Sequence, residues 1–523
     1  MGDRGSSGEG PSVASGEGPS VASGEAYDPL TYGARSSPDS QALIDADAEI
    51  EWRYDELERK VKTLAGRLRA AGVERGDQVG ALLEARVPFV LIAHATFRLG
   101  AVLVPLNPRL VQAELLEQRG TVDLSILVCD DGNRENATAI AGGVPVFTID
   151  ERERTERQEQ AIEQIDAEPA STFERSIDDP LLILFTSGTT GTPKGVVLTL
   201  GNVLASATAS AFRLGVLPGD RWLSPLPTCH MGGLAPILRS AFYGTCVIVQ
   251  EGFDAEGTAL ALEEYEATGV SLVPTALDRL IDHGFSSSES LRFVLVGGAP
   301  TPPESIERCA RMEVPICPTY GSTETASQVA TARPKEAVSH PDYVGRPLSV
   351  VELTIVDEDG DPLPADERGE IAVGGPTVSP GYYRDSDATA RSFGPHGFRT
   401  GDLGTIDEDG RLRVFGRVDD RIVTGGESVH PGEISGALNE HPSVREVAVV
   451  GLDDPEWGQR VAALVVHEPG ATLTDADLQK FIASRLAPFK RPKTIQLVEE
   501  LPRTDSGTVD RGAVTERLRA HDN

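Results

Sequence analysis

The sequence predicts an α/β protein in three parts: a large N-terminal α/β-layered domain, a small antiparallel β-barrel part and a small C-terminal α+β domain. Helical periods alternate with short apolar runs from about residue 40 to residue 300, as is typical of parallel α/β layers. Between about 340 and 415, short strands alternate with Asp/Gly turns, which indicates an antiparallel piece. The segments after Gly416 suffice for an α+β domain of about 100 residues.

The first elements can be placed from their periodicity. Residues 54–71 carry apolar side chains at helical spacing and predict an amphipathic helix. Short apolar runs predict buried strands at 79–84, 101–106, 124–129 and 181–186. The acidic segment 151–170 predicts a surface excursion before the last of these strands.

The N-terminal end predicts a disordered tail. The octapeptide SGEGPSVA occurs at 7–14 and again at 15–22, in a Gly/Ser/Glu context that offers nothing to bury. We therefore divide the chain into a low-complexity tail (1–26), an N-terminal domain (27–416) and a C-terminal domain (417–523).

The net negative charge of the chain argues against polyanionic partners. The 523 residues carry 48 basic and 81 acidic side chains, a net charge of −33. This argues against binding to nucleic acid or anionic lipid. Only seven of the basic residues are Lys and 41 are Arg, which favours a salt-adapted, haloarchaeal source over a merely acidic cytosolic protein.

Cysteine usage and hydropathy favour a cytoplasmic protein. Five Cys without a C-x-x-C pair argue against a disulfide framework or a zinc site. The first 25 residues lack the pattern of a signal peptide, and His94 and Arg98 interrupt the most apolar stretch, so no membrane span is expected. A homodimer is left open.

The most informative segment follows the strand at 181–186 and reads TSGTTGTPKG. Backbone N–H groups, hydroxyls and one ammonium group suit a polyphosphate. The spacing is not that of a P-loop NTPase. The candidate phosphate-binding residues are Thr186, Ser187, Gly188, Thr189, Thr190, Gly191 and Lys194.

Six further segments follow in a fixed order: LPTCHMGGL (226–234), VGGAP (296–300), TYGSTET (319–325), TGDLG (400–404), GRVDDRIVTGGE (416–427) and LPRTDSG (501–507). Together with the phosphate segment, this series resembles the adenylate-forming superfamily of acyl-CoA synthetases, carrier-protein adenylation domains and luciferases. The resemblance spans about residues 40–520. It implies that a carboxylate attacks the α-phosphate of ATP, that pyrophosphate leaves, and that a thiol, usually that of coenzyme A, takes the acyl group.

The resemblance also implies a role for each motif. Lys194 and its loop would hold the β- and γ-phosphates, Thr323 would touch the α-phosphate, and Glu324 would ligate Mg²⁺. Asp402 would accept from the ribose hydroxyls, and Arg417 would face ribose and phosphate. The adenine slot would be lined by Gly298, Ala299, Pro300, Tyr320 and Gly321.

A mobile C-terminal domain is implied as well. Asp419 matches the position about which the family's small domain swings, so that one site serves both half-reactions. Gly425 and Gly426 would border the channel for the thiol arm of coenzyme A, although a turn-forming Gly-Gly pair is the alternative.

One position departs from the family pattern. The last motif usually ends in a lysine that bridges substrate carboxylate and α-phosphate, whereas Thr508 stands here. Either adenylation is slow, or a cation such as Lys490, Lys493 or Arg511 replaces the lysine, or the protein binds nucleotide without adenylating.

Segments 226–244 and 319–331 most resemble the o-succinylbenzoate–CoA ligases of menaquinone biosynthesis. His230, Arg239, Ser327 and Gln328 are the candidate acyl-pocket residues, because the second carboxylate of such an acid would be costly to bury unpaired. A medium-chain, fatty or aryl acyl-CoA synthetase is the alternative. A carrier-protein adenylation domain is disfavoured because no carrier segment follows.

Overall fold

A computed structural model describes residues 28–149, 161–169, 175–186, 193–418, 422–424, 427–429, 431–455, 457–483, 485–486, 488–504 and 507–522. The predicted tail at 1–26 and most of the acidic segment at 151–170 lie outside these residues. Within them, none of the helices is both long and apolar enough to cross a membrane.

Residues 28–199 form the first run of elements. In chain order they are α1 (Pro29–Ser36), β1 (Gln41–Asp45), β2 (Ile50–Arg53), α2 (Tyr54–Ala70), β3 (Gln78–Leu82), α3 (Val87–Arg98), β4 (Val102–Pro105), α4 (Gln112–Gly120), β5 (Leu124–Cys129), α5 (Arg134–Ile140), β6 (Val146–Thr148), β7 (Pro180–Thr186) and β8 (Lys194–Thr199).

Residues 200–347 continue the alternation of helix and strand. They contain α6 (Leu200–Leu214), β9 (Arg221–Ser224), α7 (Met231–Tyr243), β10 (Cys246–Val249), α8 (Ala255–Glu264), β11 (Gly269–Leu272), α9 (Pro274–Asp282), β12 (Phe293–Val296), α10 (Pro303–Arg311), β13 (Ile316–Tyr320), β14 (Ala330–Thr331), α11 (Pro334–Ser339) and β15 (Arg346–Pro347).

The remaining elements are mostly strands at first and mixed at the end. They are β16 (Glu352–Val356), β17 (Gly369–Gly374), β18 (Gly381–Tyr382), α12 (Ser386–Ser392), β19 (Phe393–Gly394), β20 (Gly397–Ile406), β21 (Leu412–Arg417), β22 (Ile422–Thr424), β23 (Glu427–Val429), α13 (Pro431–Asn439), β24 (Val444–Asp454), β25 (Gly458–His467), α14 (Asp475–Ile482), β26 (Thr494–Val498) and α15 (Arg511–Asp522).

Two large sheets organise the N-terminal domain. The first has the order β15-β14-β13-β12-β11-β9-β10-β1-β2, and the second has the order β18-β8-β7-β4-β3-β5-β6. Both are parallel through their centres. The first is antiparallel at both ends, where β2 closes one edge and β14 and β15 close the other. The second is antiparallel only at the end formed by β8 and β18, since β6 pairs parallel with β5. The predicted parallel α/β layers are confirmed.

The main core lies between these sheets. Its buried cluster combines side chains of α2, α3 and α7 with strands of both sheets. Helix α2 shows why: Leu57, Val61, Leu64 and Leu68 recur every three or four residues and are all buried. Strand β7 is apolar throughout because both faces of a central strand are covered.

The two smaller sheets match the predicted parts that follow. Strands β16, β17, β20, β19 and β21 form a five-stranded antiparallel sheet, as expected for residues 340–415. Strands β22 to β26 form a second five-stranded sheet, which α13 and α14 cover with the C-terminal core. The predicted fold class is confirmed; the division at 416/417 stays a prediction.

Candidate active site

The phosphate-loop candidate follows one strand and precedes the antiparallel partner of that strand. Thr186 ends β7, Lys194 begins β8, and the two residues are cross-strand partners. Ser187, Gly188, Thr189, Thr190 and Gly191 lie outside the described residues, so their expected role stays a prediction.

Tyr382 contacts both Glu324 and Lys194. Tyr382 donates a hydrogen bond to Glu324 Oε1 over 3.0 Å, and Lys194 Nζ lies 5.0 Å from the centre of the Tyr382 ring. Strand β18 carries Tyr382 to this place by pairing with β8, where Tyr382 opposes Val196. Tyr382 could not be predicted from the sequence, because a Gly-Tyr-Tyr run carries no signal for this contact.

Glu324 fits an Mg²⁺ ion that is shared with phosphates. Among the described residues, no group of three or more His, Cys, Asp or Glu side chains could hold a metal by itself. Mg²⁺ is commonly held by one or two carboxylates together with substrate phosphates and water. A single carboxylate beside the phosphate hairpin is such a donor set.

Asp402, Arg417 and Tyr320 form a second polar group. The Tyr320 hydroxyl donates to Asp402 Oδ2 over 2.6 Å, and Arg417 Nη1 donates to Asp402 Oδ1 over 3.3 Å. Asp402 and Arg417 are cross-strand partners on β20 and β21, so the sheet itself brings them together. Burial and then the Asp402 charge raise the pKa of Tyr320 well above its usual range, which keeps the phenol a donor.

A cavity of about 410 Å³ opens beyond the carboxyl ends of β11, β12 and β13. Ligands of open α/β sheets bind at such strand ends. Thr323, Gly298 and Gly321 line it, as do His230, Arg239, Ser327 and Gln328. The cavity therefore joins candidates for nucleotide binding to candidates for acyl binding. Ala299 and Pro300, which follow Gly298, are not among its lining residues.

Two glycines shape this cavity. A Cβ at Gly321 would lie 1.5 Å from the Ser327 carbonyl oxygen, so the 321–327 loop closes only without a side chain there. A Cβ at Gly233 would lie 2.3 Å from the Leu226 carbonyl oxygen. Gly233 thus lets the start of α7 approach the 226–227 segment, and this contact positions His230 at the helix N-cap.

His230 is predominantly neutral at pH 7. Burial lowers its pKa, and the positive charge of Arg109 lowers it further. A neutral imidazole can donate and accept one hydrogen bond each, so it can orient a bound carboxylate without forming an ion pair.

Arg239 lies in the wall of the cavity and is only 2% exposed. Its guanidinium donates to Gln328 Oε1 and to Ser206 Oγ, each over 2.9 Å. Gln328 in turn donates to Thr331 Oγ1 over 2.9 Å, which fixes the amide. In the part of the chain that the structure describes, no carboxylate pairs with Arg239, although α7 carries it into the interior.

The lining contains charges that the sequence analysis did not single out. Arg109 and Arg279 join Arg239 there, and the described lining contains no Asp or Glu. Gly507 and Thr508 of the C-terminal domain also line the cavity, so the C-terminal domain contributes to its wall. Asp419, Gly425 and Gly426 lie outside the described residues, and the predicted hinge and channel are not described.

The fold combines a layered α/β domain, an antiparallel sheet and a C-terminal domain, and a cavity with candidate nucleotide-binding residues lies among them. This combination is that of the adenylate-forming ligases. A family model described as AMP-binding enzyme matches residues 30–383, and AMP-binding enzyme C-terminal domain matches residues 433–508. The chain belongs to the AMP-binding enzyme family, as its motifs predict.

Relatives share nearly the whole chain. The 2-succinylbenzoate–CoA ligase of Bacillus licheniformis is 36% identical over 483 residues, 92% of this chain and 98% of that enzyme. The structure of o-succinylbenzoate CoA synthetase (MenE) from Bacillus subtilis in complex with the acyl-adenylate intermediate OSB-AMP matches with a TM-score of 0.85 and 32% identity, over 93% of this chain and 97% of that one. The complex of that enzyme with ATP and magnesium ion matches with a TM-score of 0.84 and 32% identity, over 94% and 99%.

Proposed function

We propose that this protein is an ATP-dependent acid–CoA ligase that converts 2-succinylbenzoate, ATP and CoA to 2-succinylbenzoyl-CoA, AMP and diphosphate in menaquinone biosynthesis. The observation that carries the proposal is the cavity, whose charged and titratable lining residues in the described chain are three arginines and one histidine. Such a lining suits an acid with a second carboxylate. A fatty-acid tunnel would be apolar instead.

The chemistry proceeds in two balanced steps. A carboxylate oxygen of the acid forms a bond to the α-phosphorus of ATP, the bond from that phosphorus to the bridging oxygen breaks, and diphosphate leaves with the electron pair. The CoA sulfur then bonds to the acyl carbon and loses its proton, and AMP leaves with the electrons of the acyl–oxygen bond. Both steps depend mainly on positioning and charge.

The nucleotide half of the site is assigned from its contacts. Lys194 and the 186–191 loop hold the β- and γ-phosphates, and Thr323 contacts the α-phosphate from the turn after β13. Asp402 accepts from the ribose hydroxyls while Tyr320 and Arg417 fix its orientation. Glu324 holds Mg²⁺, which supplies charge neutralisation at the phosphates. Tyr382 orients Glu324 beside Lys194.

The acyl half is assigned to His230, Arg239, Ser327 and Gln328. Arg239 offers a buried guanidinium that Gln328 and Ser206 hold in one orientation, which suits recognition of a planar carboxylate. His230, at the start of α7, lies between the two halves in this assignment. We place the enzyme in the cytoplasm, acting on small molecules without a nucleic-acid partner, and a homodimer is compatible with this function.

Diphosphate release tests the substrate. The protein is incubated in high KCl with ATP, Mg²⁺ and CoA and with 2-succinylbenzoate, benzoate, octanoate or palmitate. Release and a CoA thioester with 2-succinylbenzoate alone are expected. Preference for a monocarboxylate would instead identify a general acyl-CoA synthetase.

Thr508 favours one other candidate function. Because no lysine follows Gly507, a protein that binds nucleotide or acyl-CoA without adenylating is the alternative. ATP binding with no diphosphate release from any of the four acids would establish that alternative.

A further inference from the structure

Adenylation brings two anions together, so the cavity needs a positive charge between them. The acid's carboxylate must approach the α-phosphate, and repulsion between the two raises the barrier unless a fixed cation compensates for it. Thr508 contributes no charge: its hydroxyl lies 2.7 Å from the Thr504 hydroxyl and closes the local turn.

The cations expected from the sequence to compensate do not line the cavity. Lys490 lies 2.6 Å from Glu433 within the C-terminal domain. Lys493 is exposed beside β26, and Arg511 is exposed at the start of α15. None of the three is among the described lining residues, and the arginines that do line the cavity all belong to the N-terminal domain.

Of the three lining arginines, Arg279 is the one left for this role. Arg239, which Gln328 and Ser206 hold in one orientation, is assigned to the second carboxylate of the acid. The Arg109 guanidinium lies at the loop after β10, where a Cβ at Gly252 would be 3.3 Å from Arg109 Nη2, and its positive charge acts on both Glu84 and His230. In the described chain, no carboxylate lies within ion-pair distance of Arg279. Its guanidinium packs over the Phe253 ring, 5.5 Å from the centre, which restricts its position.

Helix α9 places Arg279 beside the C-terminal motif. Thr275 and Arg279 are four residues apart on α9, so they share one face, and side chains on that face tilt back toward the helix start. Thr275 is where the C-terminal domain meets α9, because a Cβ at Gly507 would lie 3.8 Å from Thr275 Oγ1. Arg279 therefore lies one turn from the place where a residue at 508 enters the cavity.

We infer that Arg279 is a further catalytic residue, whose guanidinium holds the acid's carboxylate against the α-phosphate in place of a lysine at position 508. This inference rests on the proposed function. The guanidinium of Arg279 does not itself react: the carboxylate–phosphorus bond forms and the bond to diphosphate breaks while the guanidinium neutralises the charge. Thioester formation from the finished acyl-adenylate does not need this contact, because the two anions are by then one molecule.

A set of variants in the full-length protein tests the inference: R279Q, R279K, T508K and R279Q/T508K. Arg311 on α10 gives the matched control R311Q, because its side chain is 66% exposed and pairs only with Glu307 over 4.0 Å among the described contacts. Two half-reactions are measured in high KCl. The first is ATP–diphosphate exchange with 2-succinylbenzoate, and the second is thioester formation from chemically prepared acyl-adenylate and CoA.

We expect R279Q to lower the exchange kcat by about 10²–10³-fold, as loss of a cation that acts in the transition state does. Thioester formation should stay within about threefold of wild type, since no transition-state contact of that step is removed. R279K should retain part of the exchange rate. Adding T508K to R279Q should raise the exchange rate at least about tenfold. R311Q should match wild type in both assays.

Three outcomes would overturn the inference while leaving the proposed function in place. They are an unchanged exchange kcat in R279Q, a rise in the KM for the acid alone, and a double variant as slow as R279Q. If R279Q loses its folded circular dichroism spectrum, R279M replaces it in both assays, because Met keeps an apolar contact with Phe253 and removes the charge. A wild-type exchange kcat in R279M counts against the inference. Wild-type protein without exchange on any acid would overturn the proposed function itself, and the inference with it.

Discussion

Asp402 illustrates how single residues in the site are held before ligand binds. Each of its carboxylate oxygens accepts from a different neighbour, Tyr320 on one side and Arg417 on the other. Both donors come from strands, so the carboxylate orientation is fixed by the sheets. A carboxylate held in this way loses little freedom when a ribose binds.

Replacing Asp402 with Ala should weaken ATP binding. A hydrogen bond to a charged acceptor contributes about 1.5–3 kcal/mol, so D402A should raise the KM for ATP about 10–150-fold in the exchange assay. D402N keeps the shape and should lose less. Asp409, 62% exposed on the hairpin after β20, gives the control D409A, which should match wild type. An unchanged KM for ATP in D402A would refute the ribose assignment.

The five cysteines predict a chemically inert native state. Cys129, Cys229, Cys246, Cys309 and Cys317 are all buried, and none of them forms a disulfide. Burial is the largest cause that raises the pKa of four of them, Cys129, Cys246, Cys309 and Cys317, to about 12. Because the thiolate is the reactive form, a disulfide reagent at pH 8 should leave the native protein unmodified and should react with all five thiols after unfolding in guanidinium. Rapid modification of the folded protein would contradict this burial.

At the scale of the elements, α1 is tied to the core by a buried ion cluster. Arg98, at the end of α3, lies 2.8 Å from Asp28 and 2.5 Å from Glu58 of α2. Arg98 is 2% and Asp28 6% exposed in their side chains. Asp28 also caps α1 by accepting from the Leu30 N–H. One guanidinium therefore joins three helices.

Arg98→Met should destabilise the protein by about 3–5 kcal/mol, because it leaves the Asp28 carboxylate buried without a partner. The measurement is the free energy of unfolding in urea at constant high KCl. Arg59→Met is the matched control: Arg59 is 70% exposed, its distance to Asp55 is 3.9 Å, and a surface pair of this kind contributes at most about 1 kcal/mol. Equal losses of unfolding free energy in the two variants would show that the buried cluster contributes no more than a surface ion pair.

Elements whose apolar pattern lies in consecutive residues could be predicted from the sequence. The helix expected at 54–71 is α2 (Tyr54–Ala70), and the strand expected at 124–129 is β5 (Leu124–Cys129). Their apolar period or run is written in consecutive residues, so no knowledge of the partner is needed. The strand expected at 79–84 is β3, which begins one residue earlier and ends two residues earlier. The strand expected at 101–106 is β4, which is one residue shorter at each end.

Features that depend on contacts between distant segments could not be predicted in this way. Tyr382 reaches Glu324 only because β18 pairs with β8. Arg279 lines the cavity only because α9 follows β11 at the edge where the C-terminal domain closes it. A lone Tyr or Arg in a periodic helix gives no sequence signal for such a position. Arg239 was found because its motif resembles a family; its burial came from the packing of α7.

For the whole molecule, the acidic surplus must be carried mainly at the surface. With 81 acidic against 48 basic side chains the net charge is −33, and the buried acidic residues in the described chain are only Asp28, Asp45, Asp220 and Asp407. Repulsion among these carboxylates opposes the compact state, because unfolding moves the charges apart. Described ion pairs such as Arg399–Glu370 reduce the repulsion locally but do not change the net charge.

The midpoint temperature of thermal unfolding should therefore rise with KCl concentration. Screening of the surface charges predicts how steeply it rises at each concentration. The Debye length falls from about 30 Å at 0.01 M to about 10 Å at 0.1 M and about 3 Å at 1 M, so most of the gain should be complete by 1 M. Repeating the titration near pH 4.5, where part of the carboxylates are protonated, should flatten the dependence, because fewer charges then repel. A midpoint that does not change with KCl at pH 7 would refute salt dependence. A rise confined to multimolar KCl and unaffected by pH would assign the effect to salt exclusion from the surface, since that mechanism does not depend on the protein's own charge.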